Sequence, residues 1–165
     1  MAALAGALAA AVGAMALQFS VGRKADTADA DAKLAASLAA LDSLRGVLLE
    51  LCEEDQAAYA GWRATKDLPD DDPAKLAATA ASIAVPLATM AAALRTLEAA
   101  VEVDGLANPW LRGDLLCCCD LAVAAVRCGR HNVIANALEG SGDRQEADTL
   151  LGRAVKIVQR LDECP

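Results

Sequence analysis

A carboxylate sits where the pattern of this sequence asks for leucine. Between Lys33 and Trp62, the residues Leu34, Leu38, Leu41, Leu44, Leu48, Leu51, Asp55, Ala58 and Trp62 recur at steps of three or four, so one helix would carry them on one face. Glu50, Glu53 and Glu54 fall on other faces as ordinary solvent charges, whereas Asp55 falls on the stripe. Two readings follow. In one, the stripe reaches the surface in its last turns. In the other, the acid is held beside the core, where lost hydration disfavours the charged form and suits a carboxyl to passing protons near neutrality.

A second constellation lies further along. Asp114, Leu121, Ala125, Cys128, Asn132 and Asn136 share a helix face, so two amides and an acid stand among small or apolar groups. Buried, they would need partners, and bonds between helices serve that need as well as a ligand would. Arg23, Lys24, Arg112 and Arg130 are the basic residues placed to hold an anion. The one histidine, His131, is next to Asn132 but about 100° round the helix from it, and beside Arg130 it reads as exposed. Cys117, Cys118 and Cys119 point about 100° apart in turn and cannot grip one ion. We therefore expect buried, reduced thiols and no metal site. No glycine loop stands ahead of a helix in the strand–turn–helix setting that cradles phosphate.

These residues need helices to position them. The stretch Ala2 to Phe19 is a helix whose small residues, Ala2, Gly6, Ala9, Gly13 and Ala16, form a groove for close approach by another helix. Glycines cost helix stability in water, so they point to packing. Gly22, Arg23 and Lys24 end this helix, and Asp26-Thr27 can cap the long second one. Asp72 as N-cap with Pro73 at the first position starts a third, which carries Leu76, Ala80, Ile83, Leu87, Met90, Leu94, Leu97 and Val101, with Pro86 expected to kink it. After the loop at Asn108-Pro109, a fourth helix runs from about Leu111 to Leu138. A fifth covers Arg144 to Leu161. The expected fold is all-α, a single-domain helical bundle of about five main helices, two of them long.

Composition narrows the function. Aromatic residues make up 2% of the 165, and few runs alternate with period two, so strands have little support. The net charge of −8 and the pI of about 4.6 argue against nucleic acid or an anionic membrane as partner. The first 22 residues are apolar, but no Lys or Arg precedes the run, and Gln18 and Ser20 interrupt it. A buried helix is expected there rather than a signal or a membrane span.

Several segments together resemble a known family. They are the Ala/Gly helix AALAGALAAAVGAMAL with its exit Gly22-Arg23-Lys24, the segment LLELCEEDQAAY at 48–59, and Val85-Pro86-Leu87. Asn108-Pro109 with Asp114 six residues after the asparagine, and Asn132-Val133 followed by Asn136, complete the set. In order and spacing the chain resembles the cyclodeaminase domain of formiminotransferase-cyclodeaminase and the related bacterial methenyltetrahydrofolate cyclohydrolases, over nearly its whole length. The resemblance places the family's catalytic aspartate on Asp55, its Asn-Pro…Asp loop on Asn108, Pro109 and Asp114, and its paired asparagines on Asn132 and Asn136. Two features depart from the family pattern. The chain opens with Met1-Ala2 where the family has a Pro-Gly-Gly-Gly-Ser turn preceded by a short helix, and Gly113 stands where a serine is common. Both bear on activity more than on fold.

The resemblance implies a one-carbon folate enzyme, a formiminotetrahydrofolate cyclodeaminase or a methenyltetrahydrofolate cyclohydrolase. Asp55 would be the general acid and base, and Asn132, Asn136, Asp114 and Asn108 would orient substrate or water. Arg23 and Lys24 would meet the glutamate tail. No cofactor beyond the tetrahydrofolate substrate is expected, nor any nucleic-acid or membrane partner, and the setting would be cytoplasmic. A homodimer or larger homo-oligomer is expected from the small-residue face of the first helix. The alternative is a non-catalytic helical dimer serving only association.

Overall fold

The computed structural model describes residues 1–23 and 27–162, with Asp162 described by its backbone alone. Lys24 and Asp26 lie outside the described residues. Five α-helices follow one another: α1 (Ala2–Gln18), α2 (Ala28–Thr65), α3 (Pro73–Val101), α4 (Arg112–Asn136) and α5 (Gly142–Asp162), with a 3₁₀ turn at Pro109–Leu111 leading into α4. No strand occurs among the described residues. The fold is an all-α single domain, as the sequence suggests.

Local chemistry accounts for the ends of the long helices. Thr27 Oγ1 accepts from the Ala30 N–H at 3.2 Å, and Asp72 Oδ1 accepts from the Ala74 N–H at 2.8 Å with Pro73 behind it. Gly22 turns the chain between α1 and α2 with φ at +76°, a backbone that an L side chain resists. Its N–H donates to Asp31 Oδ1 at 2.9 Å, which ties the turn to the first turns of α2.

Sequential helices run antiparallel and share one core. Gly6 of α1 lies against Leu48 of α2 and Ala125 of α4, and Gly13 against Leu41 and Cys118. Rising numbers in α1 therefore meet falling numbers in both neighbours. The main cluster joins Leu17, Leu34, Leu41, Met90, Leu94, Leu97, Leu115, Cys118, Val126 and Val133, all fully or nearly fully buried. A smaller cluster of Ala3, Ala7, Ala10, Leu48, Leu51 and Ala92 closes one end of the bundle. None of the chain's aromatic rings takes part in either.

The groove of α1 is used inside the chain. A Cβ on Gly13 would come within 2.8 Å of Cys118 Sγ, so glycine there is what lets α1 and α4 close up. This corrects the reason given above for oligomerisation, because the small face is covered by α2 and α4. What α1 turns outward is its large side chains: Leu4, Leu8, Met15 and Phe19 are all exposed, Phe19 to 65%.

α3 is the one helix among the described residues long and apolar enough to cross a membrane, by length and composition. Its second half, from Pro86 to Ala100, supplies Met90, Ala93, Leu94, Leu97 and Ala100 to the main core. The first helix is shorter, and its small face is buried in the bundle, as expected for that stretch.

Candidate active site

The leucine stripe of α2 descends into the core and comes out again at an open cleft. Leu34, Leu41, Leu48 and Leu51 are buried, Asp55 and Ala58 are half-buried, and Trp62 is exposed. Asp55 therefore sits between the two readings of its position, beside the smaller cluster yet in reach of water. Its side chain makes no hydrogen bond or ion pair with any described residue.

A cavity of about 380 Å³ opens at this point, lined by Asp55, Ala58, Tyr59 and Trp62 from α2, Ser82 and Pro86 from α3, and Asn132 and Asn136 from α4. That volume is in the range of small-molecule sites. The antiparallel order of α2, α3 and α4 brings the three segments together at one end of the bundle. Asp55 is the only ionisable carboxylate in this lining, and no Lys, Arg or His shares it. The pocket thus offers a proton acceptor and donor flanked by two amides and two rings.

Asn136 has a structural duty that the proline explains. Pro86 has no N–H, so the carbonyl one turn back on α3, that of Ser82, loses its helical donor. Asn136 Nδ2 donates to that carbonyl at 2.9 Å, across from α4. The helix continues through Pro86, with α4 supplying the missing bond. Of the two roles open to the asparagines, helix-to-helix bonding is the one observed for Asn136; Asn132 is exposed and faces the same cavity. Replacing Asn136 with Ala is expected to cost about 1 kcal/mol. In a Pro86→Ala background the new residue supplies its own N–H to Ser82, and the same replacement should cost close to nothing. Chemical denaturation of the four proteins measures this coupling.

Two further residues hold α4 in place here. Gly129, one turn before Asn132, lies so close to α3 that an added Cβ would collide with Met90 Cγ and come within 3.3 Å of the Pro86 carbonyl oxygen. Arg144 of α5 donates to the Ile134 carbonyl at 2.7 Å and to the Ala137 carbonyl at 2.9 Å, capping the end of α4 that carries both asparagines.

The remaining candidates lie at the other end. Asn108 accepts from the Trp110 N–H, and its own N–H donates to Ser20 Oγ at 2.9 Å, which places it beside the exit of α1. Asp114 is half-buried in the first turn of α4, and 18 residues of helix, about 27 Å, separate it from Asn132. Arg23, half-buried, follows the same exit of α1. Within one chain Asp55, Asn132 and Asn136 meet in the cleft, whereas Asn108, Asp114 and Arg23 do not reach it. Arg112 pairs with Asp104 at 3.2 Å, and Arg130 pairs with Asp148. His131 is exposed, as expected.

The cysteines divide by burial. Cys118 and Cys119 are buried in the core, and that burial pushes both thiols up to about 12, so neither ionises near neutrality. Cys117 and Cys128 are exposed, which corrects the expectation that the run is wholly buried. Three consecutive residues on a helix cannot all face inward. Among the described residues, no three His, Cys, Asp or Glu side chains come together as a metal site requires.

Sequence reasoning missed three participants: Ser82, Arg144 and the pairing of Tyr59 with Trp62. The first was within reach, since a proline inside a helix always frees the carbonyl four residues earlier. The pairing was also visible, because both rings follow Asp55 at helical spacing. Arg144 gave no signal, its partners being backbone carbonyls.

Comparison with known proteins agrees with this architecture. The sequence pattern of the formiminotransferase-cyclodeaminase family matches residues 1–155. Among solved structures, the formiminotetrahydrofolate cyclodeaminase of Thermotoga maritima superposes with a TM-score of 0.79 at 19% identity, over 99% of this chain and 80% of its own. At that identity the likeness speaks for the fold. No curated protein matches in sequence.

Proposed function

The chain belongs to the formiminotransferase-cyclodeaminase family, and from that premise we propose that it carries out one-carbon chemistry on a tetrahydrofolate in the Asp55 cleft. The observation that carries the proposal is the placement of Asp55, an acid whose side chain has no partner among the described residues, at the mouth of a cavity walled by amides and rings. In the cyclodeaminase reaction, N10 of 5-formiminotetrahydrofolate attacks the formimino carbon. The Asp55 carboxylate takes the N10 proton and delivers it to the departing nitrogen. A second proton comes from water, ammonia leaves, and the 5,10-methenyl cation remains. In the cyclohydrolase reaction, the same carboxylate takes a proton from water as it adds to the methenyl carbon, then protonates the ring nitrogen that departs, while the adduct's hydroxyl proton is released to solvent as the formyl C=O forms, leaving 10-formyltetrahydrofolate.

One carboxyl serves both directions of proton movement, a contribution of about 10²–10⁴-fold. Asn132 presents an amide able to orient the substrate or the attacking water, while Asn136 fixes the wall behind it. The proton steps need nothing beyond the folate, and a cytoplasmic setting suits such a substrate. Absorbance of the methenyl chromophore tests the reading. It rises with 5-formiminotetrahydrofolate for a cyclodeaminase and falls with 5,10-methenyltetrahydrofolate for a cyclohydrolase. Rates with both substrates equal to the uncatalysed controls contradict the proposal.

The second reading, an association module, draws on α1. This helix is apolar all round, yet Leu4, Leu8, Met15 and Phe19 face water at helical spacing, with no charged residue between Met1 and Gly22. An uncharged ridge of this kind fits a second copy of itself, so we expect a homodimer whichever reading holds. Sedimentation at micromolar concentration should give a dimer for the parent chain and a monomer for Leu4→Glu/Leu8→Glu. A monomeric parent would contradict the assignment.

A further inference from the structure

We propose that Tyr59 and Trp62 form a stacking platform for a planar ring of the folate; the inference deepens the folate reading and rests on it. The chain has two tryptophans, one tyrosine and one phenylalanine, and all four are exposed. Its core is built from alanine, leucine, valine and methionine, so aromatic rings have no part in holding the bundle together. Two of the four nevertheless stand together at one place. They follow Asp55 by four and seven residues on the same face of α2, and both line its cavity.

Their geometry suits a flat ligand. The ring centroids are 6.3 Å apart and the planes differ by 21°, so two nearly parallel, stacked rings stand beside the cavity. Tyr59 is 61% exposed and Trp62 42%, which leaves ring area open to a ligand. Burying apolar rings is favourable, and leaving two neighbours in water forgoes that gain. Leucines at the same positions would serve an aliphatic ligand equally well. A conjugated ring gains specifically from aromatic faces. Tetrahydrofolate carries two planar systems, the pyrimidine part of the pterin and the p-aminobenzoyl ring, on either side of the N5–N10 bridge where the reaction occurs. A ring held one turn along α2 from Asp55 places that bridge beside the carboxyl. The platform positions substrate and takes no part in proton transfer. Were the pair only a helix-surface contact, replacing either ring with leucine would leave ligand binding untouched.

The test uses the full chain carrying Trp110→Phe, so that Trp62 is the single emitter; Trp110 lies at the opposite end and is 93% exposed. The probe is 5-formyltetrahydrofolate, titrated by tryptophan emission and, independently, by equilibrium dialysis. Emission should be quenched on saturation. Tyr59→Leu and Trp62→Leu, the latter read by dialysis alone, should bind about tenfold to a hundredfold more weakly. Tyr59→Phe and Trp62→Phe, the latter likewise read by dialysis alone, keep a ring and should stay close to the parent, and helical circular dichroism should be the same in all. p-Aminobenzoylglutamate and 6-methyltetrahydropterin, titrated separately, show which ring lies on the platform. Leucine variants that bind the folate within about twofold of the parent overturn the platform and leave the Asp55 reading standing. A parent chain that binds none of the three compounds in dialysis overturns both.

Discussion

Asp55→Asn should lose turnover by about 10²–10⁴-fold or more while melting at nearly the parent temperature. The two halves of this expectation come from the same observation. Asp55 is half-buried, lines the cleft, and its carboxylate has neither an ion pair nor a hydrogen bond among the described residues. Asparagine is nearly its equal in size, leaves no cationic partner stranded, and cannot carry a proton from N10 or water to the departing nitrogen. A carboxylate paired with Arg or Lys in the interior behaves otherwise, since removing its charge strands the partner at a cost of about 3–5 kcal/mol. Methenyl absorbance and thermal melting at one pH separate the cases. A variant that turns over normally but melts early would make Asp55 a structural residue.

Gly129→Ala should destabilise the bundle by about 1–3 kcal/mol, lowering Tm by roughly 2–12 °C for a chain of this length. Met90 is fully buried, and the clash falls on its Cγ rather than on the free end of the side chain. The neighbouring atom on the other side is the Pro86 carbonyl oxygen, at 3.3 Å, so α3 cannot yield without moving the cleft wall. Activity should therefore fall with stability, through Asn136 and its bond to Ser82. A melting temperature unchanged within about 1 °C would show that α3 and α4 are less closely apposed than described.

Much of this was readable in the chain. Caps at Thr27 and Asp72, Pro73 at a first helical position and stripes at steps of three or four give the five helices, because each rests on chemistry local to a few residues. Asp55 stood out because a single charged residue interrupts a leucine series. Which residues meet was harder to read. Asn108, Asp114 and Arg23 are of the right types, yet one helix length separates them from Asn132, and no local signal reports which end of a bundle a residue occupies. The face of α1 shows the same limit. Its glycines announce a close approach, but whether to α2 and α4 or to another copy is decided by the whole fold. Asn136 gave its type away and hid its partner, because the need it meets is created by a proline fifty residues earlier.

The most direct measurement of the central claim is the structure of the protein with 5-formyltetrahydrofolate bound. We expect the folate in the cavity shared by Asp55, Asn132 and Asn136, with N5 or N10 within about 3.2 Å of an Asp55 carboxylate oxygen, or linked to it through one water. A folate seated instead at the Asn108–Asp114 end, with Asp55 facing solvent, would contradict the account.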